Sequence, residues 1–158
     1  MLDRLFPKQI DNRFPGHWLA LWLFVPLVVL RLIIGANSMI NTASVAMGAD
    51  GIPLDTFSPP AAAVALALFA LLGLSGLILA LLCALALFRY RAMIPLLYLM
   101  LVIQLVAGRV LSIVHPIAHA GAATVGSSGI SAGAIVSYTL MALTALGFIL
   151  SLAGRRTQ

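Results

Sequence analysis

Charge is what this chain has least of. Of its 158 residues only 8% are charged, and four of those are acidic. A soluble domain is about 25% charged, so a water-facing surface of ordinary extent is excluded. No acid falls inside the long apolar runs, and Asp50 and Asp55 are the only acids away from the amino end. Pumps carry carboxylate relays within their spans; their absence here argues against a coupled transporter acting alone. Cysteine is nearly missing too. Cys83 stands alone, which excludes an internal disulfide and a cysteine metal cage, and inside an apolar run it reads as a buried, inert thiol. There is no glycine-rich phosphate loop and no motif joining a serine to a histidine–acid pair, so catalysis has little to stand on.

What is present is apolar. The chain is 63% hydrophobic, against roughly 45–50% for a soluble domain. A core of this length cannot hide that much apolar surface, so lipid is part of the solvent. Four runs are long enough to cross a bilayer, at about 17–41, 61–88, 92–114 and 134–152. The expected fold is an all-α membrane protein, a four-transmembrane-helix bundle occupying 17–154. A tail at 1–16, with Leu2, Leu5 and Phe6 on one face, either lies in the interface or frays; residues 155–158 form a second tail. The first run exceeds a secretory apolar region of about 7–15 residues, so it is expected to be retained. Trp18 and Trp22 sit where an aromatic belt is expected, and Pro26 should bend this span. Ala49-Asp50-Gly51 signals a turn within a loop at 42–60, and Ser58-Pro59-Pro60 signals a capped helix start. Arg89-Tyr90-Arg91 is short enough to make spans two and three a tight antiparallel hairpin, and residues 120–134 form a small-residue loop.

Seven of the nine basic residues flank the runs, at Arg4, Lys8, Arg13, Arg89, Arg91, Arg155 and Arg156, while the loops at 42–60 and 115–133 hold none. The positive-inside rule then puts both ends in the cytoplasm, N-in and C-in, of a bacterial-type inner membrane. Topology and anionic lipid account for the net charge of +5. No basic stripe interleaved with aromatics is present, so nucleic acid is not an expected partner.

Small residues predict which faces pack, because helices in lipid associate through close backbones and interhelical hydrogen bonds. Span two offers Gly73, Gly76, Ala80, Cys83 and Leu87; span four offers Ser137, Thr144, Gly147 and Ser151.

Two arginines fall inside spans. Arg31 lies about 12 residues into the first, roughly 18 Å deep, and Arg109 some 16 residues into the third, roughly 24 Å. Both then occupy the outer half. An arginine there costs at least about 2.5 kcal/mol and calls for a partner or a task. Arg31, Gly35, Ser38 and Thr42 form a stripe with Asn41 beside it and Asn37 farther round; Gln104, Gly108, Ser112, His115 and His119 fall in one arc, with Arg109 a quarter-turn away. One reading is structural: Asp55 or Asp50 folds back as counter-ion, or Arg109 snorkels outward. The other is a cationic cavity of Arg31, Asn37, Gln104, Arg109 and His115 that binds a lipid headgroup, a carboxylate or a quinone carbonyl. His115 and His119 are four apart, as metal-binding histidines on a helix often are, yet Pro116 interrupts them and no third ligand is evident. They read as interfacial caps, as a metal pair, or, through His115, as a haem or pigment ligand.

Gly51-Ile52-Pro53-Leu54-Asp55, Leu68 through Ser75, and Arg89-Tyr90-Arg91 with Ile94-Pro95-Leu96 resemble a group of small four-helix bacterial inner-membrane proteins that brings no known activity. Leu30-Arg31-Leu32 with Gly35 is similar to the first helix of DoxX-like proteins, some of which accompany quinone-linked oxidoreductases. That resemblance implies a ligand or subunit contact near Arg31. Short loops and leucine-rich outer faces fit a non-enzymatic accessory subunit packed against lipids and other membrane subunits. The alternatives are a binder of quinone, lipid or small anion around Arg31 and Arg109, and a haem- or pigment-associated subunit.

Overall fold

A computed structural model describes residues 16–114 and 132–153, together with residues 5, 11, 12 and 14. His115 and His119, both tails beyond these residues and most of the 115–133 loop lie outside that range. The described chain is helical, without strands: α1 (Trp18–Ile40), α2 (Thr42–Gly48), α3 (Pro59–Arg89), α4 (Ile94–Val114) and α5 (Ala132–Ala153), with 3-10 turns at Leu54–Thr56 and Arg91–Met93. Helices α1, α3, α4 and α5 are long and apolar enough to cross a membrane, making this a multi-pass membrane protein.

Local chemistry explains most boundaries. His17 starts α1 by accepting the Leu19 N–H on Nδ1 at 3.2 Å. Helix α3 begins with prolines at its first two positions, where no amide hydrogen is needed. The expected Ser58 side-chain cap does not form; Pro60 removes one of the two amides such a cap uses. Residues 42–48 correct the expected loop: after a break at Asn41 they form α2, a sequence of mostly helix-tolerant residues ended by Gly51 at φ 66°, where the Ile52 N–H reaches the Ala46 carbonyl at 2.9 Å.

The helices do not pair in chain order. Helix α1 packs most extensively on α3 and then on α5, while α4 packs on α5. Helices α3 and α4 are joined by the tight turn but touch little beyond it, so the expected hairpin is a connection rather than a packed pair. Small residues explain the choice. A Cβ on Gly35 would lie 2.9 Å from the Leu77 backbone nitrogen, and one on Gly73 would lie 2.9 Å from Ser38 Cβ and 3.0 Å from Met39 N. These two glycines let α1 and α3 cross in near-backbone contact. Gly108 of α4 has open space around it and brings nothing close.

The core is lopsided along the bundle. Phe24, Leu27, Cys83, Ile94, Tyr98 and Leu101 are buried together toward the 89–91 turn. There Tyr98 donates its hydroxyl to the Ala20 carbonyl at 2.7 Å and tilts its ring on Phe24, with 4.8 Å between centroids. A Cβ on Gly147 would lie 2.5 Å from Cζ and Oη of Tyr98, so the buried ring leaves it no room. The segment before α1 closes the same end: the Ala92 N–H meets the Asp11 carbonyl and the His17 N–H meets the Leu150 carbonyl, each at 3.3 Å. The amino segment, the 89–91 turn and the end of α5 therefore share one end of the bundle. The opposite half, beyond Arg31 and Leu101, is less filled.

Candidate functional site

Arg31 stands where the packed half of α1 gives way to the open half. It extends across the bundle to α4, and its Nη1 donates to Gln104 Oε1 at 2.6 Å. This joins two residues 73 positions apart and gives the guanidinium an acceptor from a span, none of which contains an acid. The other two guanidinium nitrogens, Nε and Nη2, are buried and have no hydrogen-bond partner among the described residues. An arginine near the centre of a bilayer costs about 2.5–3.5 kcal/mol. One hydrogen bond from a charged donor offsets about 1.5–3 kcal/mol of that, and buried donors left unpaired add to the cost.

The open half holds a partly open cavity of about 310 Å³ lined in part by Arg31. Arg31, Gly35 and Ser38 form one wall, and Asp50 reaches it from the loop after α2. Phe69, Leu72, Gly73 and Gly76 of α3 form the facing wall, and Leu105 and Leu140 complete it from α4 and α5. A Cβ on Gly76 would meet nothing within 4 Å, so this glycine leaves room in the cavity where Gly73 creates contact. The wall is thus apolar apart from a cationic edge, a serine and a carboxylate. Hydroxyls elsewhere in the spans are occupied locally: Ser75 bonds the Leu72 carbonyl, Ser112 that of Gly108, and Thr144 that of Leu140.

The other residues singled out from the sequence separate. Arg109 does not line the cavity. Its guanidinium sits over the Tyr138 ring of α5, 4.0 Å from the centroid, while its Nη2 is buried without a hydrogen-bond partner among the described residues. A cation–π contact of this kind is worth about 0.5–2 kcal/mol, more where water is excluded. Asn37 faces outward, accepting from the Asn41 side chain at 2.7 Å. Asp50 shares the cavity with Arg31, whereas Asp55 is exposed in its 3-10 turn, and among the described residues no ion pair joins it to either arginine. The acids are therefore unequal as counter-ions, and a single cavity holding both arginines does not form. His115 and His119 lie outside the described residues, and among those described no group of three potential ligands could hold a metal ion.

Sequence reasoning missed Phe69, Leu72, Leu105 and Leu140, which look in the sequence like any lipid-facing residue. It also missed Tyr138 as the partner of Arg109. Its aromatic face at the start of the last span was the available signal. A second recess, of about 360 Å³, lies toward the basic end between Leu21, Trp22 and Val25 of α1 and Leu87, Phe88 and Arg91 near the turn. It is apolar except for Arg91, whose Nε already donates to the Leu87 carbonyl at 3.1 Å. No protein-family model matches the chain, and neither a curated protein nor a solved structure matches it.

Proposed function

We propose that this protein is a non-catalytic inner-membrane component that binds a small amphiphile in the cavity beside Arg31. The observation that carries this reading is a largely apolar cavity whose wall carries one cationic side chain, Arg31. Small-molecule sites are mostly apolar with a few polar groups that fix orientation, and this wall suits a ligand with an apolar body and a head that complements a cation. Quinones, lipids and small anions all meet that description. The likeness of Leu30-Arg31-Leu32 and Gly35 to DoxX-like proteins points the same way, as a resemblance only.

The orientation belongs to the same proposal. Arg89, Arg91 and the segments that lead into both tails gather at one end, and that end faces the cytoplasm under the positive-inside rule. The cavity then opens in the outer half of the membrane. Native mass spectrometry of the purified protein tests the binding reading. We expect a retained lipid or quinone that is lost on Arg31→Leu; identical ligand content in the two proteins would remove the idea.

The accessory-subunit reading keeps one supporting observation. The outer half of α4 turns Val106, Val110, Leu111 and Ile113 outward and has few neighbours within the chain, which suits a face covered by another membrane subunit as well as by lipid. Blue-native electrophoresis after mild extraction separates the two, since a lone monomer or homodimer counts against the larger assembly.

A further inference from the structure

The recess at the 89–91 end is separate from the cavity lined by Arg31 and carries an inference of its own. It is partly open, with a volume of about 360 Å³, and its walls are Leu21, Trp22 and Val25 of α1, Leu87 and Phe88 of α3, and Arg91. Trp22, Val25 and Phe88 are exposed, so the recess faces lipid. Val25 lies seven residues beyond Trp18, where α1 begins. At about 1.5 Å per residue the recess therefore reaches roughly 10 Å from that helix end, the depth of the headgroup and the first acyl carbons. Arg91 belongs to the 3-10 turn that closes this end. Its Nε is held by the Leu87 carbonyl at 3.1 Å. Its two Nη nitrogens make no bond among the described residues, and neither is a buried donor, unlike the unpaired nitrogens of Arg31 and Arg109. They form the end of the guanidinium fork, which can hold two oxygens of one phosphate side by side.

We propose that this recess binds one anionic phospholipid, with its phosphate on the Nη nitrogens of Arg91 and the first part of an acyl chain against Trp22 and Phe88. Charge selects the headgroup. Arg91 is the one charged residue among those that line the recess; Asp11, whose carbonyl meets the Ala92 N–H, and Arg89, exposed at the end of α3, do not line it. Basic pockets between membrane helices at the headgroup level favour anionic lipids. Preorganisation adds to this, because the Nε bond already fixes the guanidinium and less side-chain freedom is lost on binding. The apolar wall selects the source of the phosphate. It gives a soluble anion nothing, whereas an acyl chain packs along it while the head meets the arginine.

The test uses the full chain in phosphatidylcholine vesicles, with Trp22 as the reporter. Trp18→Phe leaves Trp22 as the only tryptophan. Bromine on an acyl chain quenches a tryptophan that it touches. Quenching by a small fraction of brominated phosphatidylglycerol, set against the same fraction of brominated phosphatidylcholine, gives the preference of the site. We expect about fivefold for phosphatidylglycerol, the equivalent of about 1 kcal/mol for one basic residue near the surface. Arg91→Gln should bring the ratio to about one. Arg91→Lys keeps the charge but presents one nitrogen in place of two; half of that free energy leaves about a twofold preference, and this variant carries the test if the glutamine variant fails to insert. Arg89→Gln should stay close to fivefold, since Arg89 does not line the recess. Inorganic phosphate, added at constant ionic strength, should not compete. Equal losses in Arg89→Gln and Arg91→Gln would replace the site by a diffuse surface field, and competition by phosphate would reassign the fork to a soluble anion. A ratio of about one in the parent protein, or an unchanged ratio in Arg91→Gln or Arg91→Lys, would also overturn the assignment.

Discussion

Gly73 and Gly76 lie three residues apart on α3, and the structure assigns them opposite roles. Replacing each in turn by alanine is therefore a controlled comparison. Both substitutions gain the same helix propensity, up to about 1 kcal/mol relative to glycine, so that contribution cancels in the difference. What remains is the environment of the added methyl group. At Gly73 it would sit 2.9 Å from Ser38 Cβ and 3.0 Å from Met39 N and the Ser38 carbonyl carbon. Two of these three atoms are backbone and cannot swing aside, so α1 and α3 must separate by some tenths of an ångström. Overpacking of this kind costs about 1–3 kcal/mol. At Gly76 the methyl would meet nothing within 4 Å and would project into the cavity. Gly73→Ala should thus be less stable than Gly76→Ala by about 1–3 kcal/mol. Unfolding in mixed micelles with increasing dodecyl sulfate, followed by helical circular dichroism, measures that difference. The ligand content should move the other way for Gly76→Ala, whose fold is intact but whose cavity is smaller. A Gly73→Ala protein as stable as Gly76→Ala would refute the close crossing of α1 and α3, and with it the wall that shapes the cavity.

Three further outcomes follow from single contacts. Tyr138→Leu should destabilise the protein by about 0.5–2 kcal/mol by removing the ring under Arg109, whereas Tyr138→Phe keeps the ring and should cost little; equal losses in the same unfolding assay would count against the cation–π contact. Tyr98→Phe removes the bond to the Ala20 carbonyl, but that carbonyl keeps its helical donor, so the cost should be only about 0.6–1 kcal/mol, and a loss of several kcal/mol would show that the hydroxyl has a larger role. Asp55→Ala should leave the unfolding midpoint unchanged, as its side chain is exposed in a turn without an ion pair to Arg31 or Arg109; a clear drop would restore Asp55 as a counter-ion.

The spans were legible in the sequence because hydropathy responds to the bilayer, and the bilayer acts on every residue alike. The packing stripe of α3 was legible for a related reason: Gly73, Ala80 and Cys83 are small, and all three are buried. Gly76 shares their spacing and composition but faces the cavity, a difference that depends on what α1 and α4 present opposite it. The stripe of α5 behaves similarly, with Thr144, Gly147 and Ser151 buried. Partner choice was not legible. Arg31 and Arg109 look equivalent as intramembrane cations, yet one reaches a glutamine on another helix and the other a tyrosine ring. Helical phase puts Arg109 a quarter-turn off the Gln104–Gly108 arc; what lies in that direction depends on where α5 packs. The expected α3–α4 hairpin failed for the same reason. A short turn fixes where two helices meet, while close backbone approach depends on glycines that α4 does not bring to α3.

The open half of the bundle follows from what holds helices together in lipid. In water, a gap between apolar helices would close, since closing it removes apolar surface from solvent. In lipid that drive is absent, and helices stay together only where backbones fit closely or polar groups bond across. Toward the 89–91 turn both devices operate, through the Tyr98–Ala20 bond and the close approach of Gly147 to Tyr98. Beyond Arg31, among the described residues, the polar ties that hold α4 are the Arg31–Gln104 bond to α1 and the Arg109–Tyr138 contact to α5. Neither tie uses all its donors. A ligand in the cavity at a hundred times its dissociation constant would stabilise the folded bundle by about 2.7 kcal/mol, which is comparable to the cost of placing one arginine in the membrane.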